Sequence, residues 1–242
     1  RGMISWKTTR IICMMLLLIP IVHLAYLVSR DALATLDPSP DAWADELAAY
    51  ARQDRSTALP TEPLVVVGGR RVKLWSNLED TITYPLLMRG LGDAIVEDIT
   101  HNYAALIGYY QPRTVVLLPS NSEFHIRDNK SGEGLAAAIR ELEAVDASHG
   151  ITRQFIVFTP LKTPLYPGDD REIDKASQLL SEWAASRPRV TLLDANAMLG
   201  DEDGRPRPEY YLSDGVNLNE RGYLRLSLML QQALENRALT HP

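Results

Sequence analysis

Acyl transfer by a side chain needs a hydroxyl beside a base, because the free hydroxyl is a poor nucleophile until its proton is taken. In this chain of 242 residues the serines within reach of strand-end loops are Ser76, Ser120, Ser122 and Ser213. The only histidine near those loops is His125, three positions beyond Ser122. Ser122 with His125 is therefore the pair that spacing puts forward, although such a spacing recurs by chance. The remaining histidines, His23, His101, His149 and His241, lack the close pairing that metal ligands need, and Cys13 is the single cysteine. No metal, cofactor or internal disulfide framework is expected. Arg70, Arg71 and Arg89 offer a different chemistry. Arg70 and Arg71 fall where a helix is expected to begin, so they could hold a carboxylate or sulfate together with the helix N–H groups. The competing expectation is that Arg70 pairs with Asp93 or Asp214 and plugs the cleft, since inward charges need partners.

These groups must be carried by elements, and the hydropathy pattern supplies them. Residues 63–67 (PLVVV) form a short apolar run bounded by proline and glycine, as a strand buried on both faces would. Residues 86–88, 114–118, 155–159 and 190–194 read as further strands. Residues 94–108, 134–147, 173–186 and 219–236 read as helices, residues 71–78 as a helical turn, and Asp41 as the cap of a helix carrying Trp43, Leu47 and Tyr50. The alternation predicts an α/β fold, a parallel sheet between two helix layers. Ligand sites of such sheets lie at the carboxyl ends of the strands. Pro160, Pro164 and Pro167 stiffen one of those loops, and residues 204–208 read as a surface turn.

The amino terminus differs from the rest. Residues 11–28 carry no formal charge and as a helix would span roughly 27 Å, close to a bilayer's hydrocarbon thickness. Arg1, Lys7 and Arg10 flank one side, which predicts insertion with that side in the cytoplasm. The expected organisation is a basic flank at 1–10, a transmembrane anchor at 11–29, a linker at 30–40 and a globular domain at 41–238. A cleavable signal peptide is the rival, with Ala32, Leu33 and Ala34 at a cleavage-like spacing. Either reading exports the domain to the periplasmic or extracellular side of the cytoplasmic membrane. Beyond Arg30 the chain holds 21 basic and 31 acidic residues, an acidic balance that repels phosphate backbones and argues against nucleic acid.

Four segments then fall in a telling order. They are Gly68-Gly69-Arg70-Arg71-Val72-Lys73-Leu74-Trp75 after the first strand, Arg89-Gly90-Leu91-Gly92 after the second, Pro119-Ser120-Asn121-Ser122 after the third, and Asp214-Gly215-Val216-Asn217 before the last helix. Together with Gln53-Asp54-Arg55 they resemble the blocks of the SGNH (GDSL-type) hydrolases, in the branch whose first block reads G-S-S-S-I-R-x-W. The resemblance covers the chain from about Trp43 to Leu230. It implies a three-layer α/β/α sandwich with a flavodoxin-like parallel sheet. It also implies a nucleophilic serine from the first block, oxyanion donors from the second-block glycine and third-block asparagine, and an aspartate and histidine from the last.

Matched residue by residue, Asp214, Asn121 and Gly92 keep the family's residue types. The nucleophile position falls on Arg70 and the base position on Asn217, while Asp93 replaces a further glycine. A guanidinium has no nucleophilic oxygen and a carboxamide takes no proton near neutral pH. Losing either member of such a unit typically lowers turnover by on the order of 10⁶. Ordinary family catalysis is therefore expected to be absent, with Asp214 left to cap the final helix. The expected role is a membrane-anchored envelope protein that binds an anionic or carbohydrate ligand, or a protein partner of unknown kind, around Gly68, Arg70, Arg71, Arg89, Gly92 and Asn121. An active acyl or carbohydrate esterase with a relocated nucleophile, and a structural envelope component, are the alternatives.

Overall fold

The structure, a computed structural model, describes residues 6–36, 39–125 and 129–240. The chain forms two compact units, Arg1–Pro38 and Ser39–Pro242. The first is a single helix, α1 (Trp6–Leu36), of 31 residues with Pro20 inside it. Its large apolar side chains from Met14 to Tyr26 are all exposed. Among the described residues no helix is long and apolar enough to cross a membrane; of the span expected over 11–29, the side chains of residues 11–13 and 27–29 lie outside the described ones. The side chain of Cys13 lies outside the described residues.

The second unit opens with a 3₁₀ turn, Pro40–Trp43, capped by Ser39, whose Oγ accepts from the Asp41 amide at 3.2 Å. Asp41 is thus inside the turn and is not the expected cap. There follow α2 (Ala44–Ser56), β1 (Leu64–Gly68), α3 (Arg70–Lys73), α4 (Leu78–Thr81), β2 (Leu86–Gly90), α5 (Val96–His101), α6 (Tyr103–Leu106) and β3 (Thr114–Leu118). Then come α7 (Gly132–His149), β4 (Gln154–Phe158), α8 (Asp170–Ala185), β5 (Val190–Leu193), α9 (Ala195–Leu199) and α10 (Glu220–Thr240). All strand pairs are parallel and the order is β2-β1-β3-β4-β5.

Strand alternation explains the continuous apolar runs. Val65, Val67, Val115, Leu117, Phe155 and Val157 feed one core with residues of α5, α6, α7 and α8. Leu64, Val66, Val116, Leu118, Ile156 and Phe158 feed the other with residues of α3, α4, α9 and α10. Each central strand is buried on both faces, so neither face needs polar residues. The expected α/β/α sandwich is what forms.

Two expected helices break. The 94–108 segment divides at Asn102, whose Nδ2 donates to the Asp98 carbonyl at 2.9 Å and so competes with the backbone. The 71–78 segment gives only the two short helices α3 and α4. Between them Trp75, buried, donates from Nε1 to Ser227 Oγ of α10 at 2.9 Å and packs on Phe158 and Tyr223. That contact fastens the first strand-end segment to the last helix.

Candidate functional site

The four sequence segments meet at the carboxyl edge of the sheet. Leu91 N–H donates to Gly68 O at 2.9 Å, joining the first two segments. A Cβ on Gly69 would stand 2.8 Å from Ser120 Oγ and 3.0 Å from Ala94 O, so glycine is what admits the third segment. Arg71 then reaches across, with long contacts from Nη1 to Pro119 O (3.5 Å) and Nη2 to Val216 O (3.4 Å). It is buried rather than open to a ligand, and its Nε has no partner. Burial lowers its pKa, opposed by Tyr211, Tyr223 and Asp214. Tyr223 donates its hydroxyl to Arg71 O at 2.9 Å.

Arg70, the residue that the sequence resemblance sets against the family's nucleophile, makes a forked guanidinium pair with Asp93, Nε to Oδ1 at 2.9 Å and Nη2 to Oδ2 at 2.7 Å. The Asp93 hydrogen bond and charge raise the Arg70 pKa. Arg70 stays 56% exposed while Asp93 is 11% exposed, so the acid is enclosed and the base faces water. Of the two acids open to Arg70 in the sequence, the fold uses Asp93. Because α3 has only four residues, the expected helix dipole contributes little at this position.

Asn217, which the sequence resemblance sets against the family's base, donates from Nδ2 to Asp214 Oδ2 at 2.6 Å. Asp214 Oδ1 accepts the Val216 and Asn217 amides, both at 2.9 Å. Burial raises the Asp214 pKa, but these hydrogen bonds and Arg71 outweigh it and the net direction is down. Asp214 therefore closes its own turn and does not cap α10. Asn219 does that, accepting the Arg221 and Gly222 amides at 3.0 and 3.1 Å.

Gly92 and Asn121, the two residues that the resemblance offers as oxyanion donors, are placed differently. Gly92 N–H is already given to Glu46 Oε2 at 3.1 Å, a carboxylate that also holds Lys73 at 2.7 Å. Asn121, half-buried at the start of a 3₁₀ turn, has no hydrogen bond through its carboxamide among the described residues. It is the matching group left free to meet a ligand.

The alternative pair does not assemble. Ser122 is buried, and its Oγ accepts from Ser120 Oγ at 3.1 Å. His125 Nε2 instead meets Asp169 Oδ2 at 2.6 Å, with its ring stacked on Tyr166 at 4.1 Å, so the proline-stiffened loop comes to rest on the third segment. Arg89 is likewise not a ligand group. It is buried, with Nη2 on Asp54 Oδ1 at 2.7 Å and Nε on Tyr110 OH at 2.8 Å, between the rings of Tyr50 and Tyr110. Among the described residues no three His, Cys, Asp or Glu gather as a metal site.

One group escaped sequence reasoning. Glu123 is fully buried, accepting Val96 N–H at 2.8 Å on one oxygen and Lys130 Nζ at 2.8 Å on the other. Burial pushes its pKa up to about 7, against the pull of Lys130. Its position next to Ser122 was the only available signal, and burial is not written in that.

No protein-family model and no curated protein matches the sequence. Solved structures do. A Streptococcus pneumonia protein provisionally described as a platelet activating factor superposes with TM-score 0.69 at 16% identity, covering 88% of this chain and 99% of its own. A GDSL-like lipase from Bacteroides thetaiotaomicron gives TM-score 0.63 at 16% identity, with coverage of 79% and 98%. A carbohydrate esterase family 3 structure from Talaromyces cellulolyticus gives 0.57 at 12%, with coverage of 74% and 99%. The chain thus shares its fold with these structures, a GDSL-like lipase among them.

Proposed function

We propose that this SGNH-fold chain is a non-hydrolytic, membrane-tethered domain of the bacterial cell envelope that binds a ligand or partner at its strand-carboxyl edge. The observation that carries the reading is the pair Asn217–Asp214 at 2.6 Å, a carboxamide donating where catalysis would need an imidazole. Arg70, locked to Asp93, stands at the matching nucleophile position and leaves no hydroxyl to activate. The Gly92 amide, already engaged by Glu46, supports the same conclusion. The free Asn121 carboxamide and the exposed Arg70 and Asp214 suit a ligand rich in hydroxyl or carboxylate groups, such as an acidic or acylated carbohydrate. The uncharged stretch 11–28 and its basic flank support α1 as an anchor, with the globular unit on the exported side.

A second reading, an esterase with a relocated nucleophile, is favoured by one observation: the His125 imidazole is held by Asp169 as a base is held by its orienting carboxylate. One experiment separates the two. The full chain in detergent is assayed with short-chain aryl esters and labelled with a fluorophosphonate probe. The expected outcome is no turnover above a heat-killed control and no adduct. Turnover abolished by Ser122→Ala, with the probe on Ser122, would establish the esterase instead.

A further inference from the structure

At the opposite edge of the sheet, the residue immediately before each of β3, β4 and β5 is an arginine: Arg113, Arg153 and Arg189. These strands are neighbours. Arg153 N–H donates to Arg113 O at 2.9 Å, which sets those two positions side by side, while Phe155 N–H donates to Arg189 O at 2.9 Å and Arg189 falls one step before the Phe155–Val190 pair, level with Gln154. With strands spaced roughly 4.8 Å apart, like charges at adjoining positions repel. Arg189 is answered from below by the buried carboxylates of Glu143 and Asp146. Arg113 and Arg153 are not answered: among the described residues their guanidinium groups make no ion pair or hydrogen bond. All three line a cavity of about 500 Å³, within the size range of small-molecule sites, whose wall also includes Glu62, Tyr84 and Leu234. Glu62 is the single acidic side chain on that wall, in a domain whose overall balance is acidic.

We propose that this cavity is a binding site for a small soluble oxyanion with an apolar substituent, a phosphate monoester or carboxylate. Its anionic group meets Arg113 and Arg153 and its apolar part lies against Tyr84 and Leu234. Guanidinium groups suit such oxyanions because their N–H forks match two acceptor oxygens. The site lies at the strand amino ends, apart from the edge where Arg70 and Asp214 stand, and does not depend on the function proposed for that edge.

The test is calorimetric titration of the full chain, in an uncharged detergent, with phenyl phosphate. Saturable binding is expected, weakened about tenfold or more by Arg113→Ala and by Arg153→Ala, each a change at an exposed side chain, and unchanged by Arg171→Ala, an exposed arginine outside the cavity wall. Inorganic phosphate should bind more weakly than phenyl phosphate. Absence of saturable binding at millimolar ligand, or binding that survives both arginine changes, overturns the site. Equal binding of inorganic phosphate overturns the apolar part of the assignment. Displacement by phosphatidic acid in the same micelles at lower concentration than phenyl phosphate would overturn the soluble source in favour of a lipid headgroup.

Discussion

A carboxyl group that ionises near neutral pH inside a folded domain makes stability depend on pH in a direction opposite to most acids. Glu123 is such a group, its pKa raised to about 7 chiefly by burial. A raised folded-state value means the fold binds the proton more tightly than the unfolded chain does. The penalty is full above about pH 7 and fades as pH falls toward the ordinary carboxylate value, so the domain gains stability on mild acidification. The thermal midpoint is expected to rise from about pH 8 to about pH 5 as this group takes up its proton, and Glu123→Gln should flatten the profile in a calorimetric scan. Asp214 acts in the other sense, its lowered pKa giving a contribution that is lost only below the usual carboxylate range. At this scale the sequence displayed residue types and withheld partners. Arg70 had two acids available and took Asp93, while Arg89 looked like a ligand group and went to Asp54, 35 positions away. Distance along the chain carries no trace of such a pairing.

Elements were more legible where burial is uniform. The runs Leu64–Gly68 and Thr114–Leu118 are apolar because both faces are covered, and that composition alone announces a strand. The stretch 94–108 was less legible, because whether an asparagine continues a helix or ends it depends on what its carboxamide finds. The end of β2 shows how an element is anchored by one cation. Arg89 is enclosed by Asp54, Tyr110, Tyr50 and the Met88 carbonyl, bringing α2 onto the sheet edge. Removing the acid leaves that charge buried and unpaired. Asp54→Ala is expected to cost about 3–5 kcal/mol, read as a lowered urea midpoint with little change in slope. Asn219→Ala should cost about 1 kcal/mol for the lost cap of α10, and more if its bonds to the Glu209 and Tyr211 carbonyls go unreplaced.

The whole globular unit was readable because alternating strands and helices, joined by right-handed crossovers, leave few topologies to choose among. What filled the sheet's carboxyl edge was less so, since a fold carries a site without specifying it. If α1 is an anchor, the full chain should stay with membranes through an alkaline carbonate wash, and recovery in the supernatant would remove the anchor from the proposal. Trp75 has a practical bearing on all of this. Its indole belongs to the segment bearing Arg70, yet is enclosed by Phe158 and Tyr223 and bonded to Ser227 on α10. The molecule thus contains a fluorophore at the seam between the beginning and the end of the domain, and with the other three tryptophans replaced by phenylalanine the colour of its emission would tell whether the seam is closed.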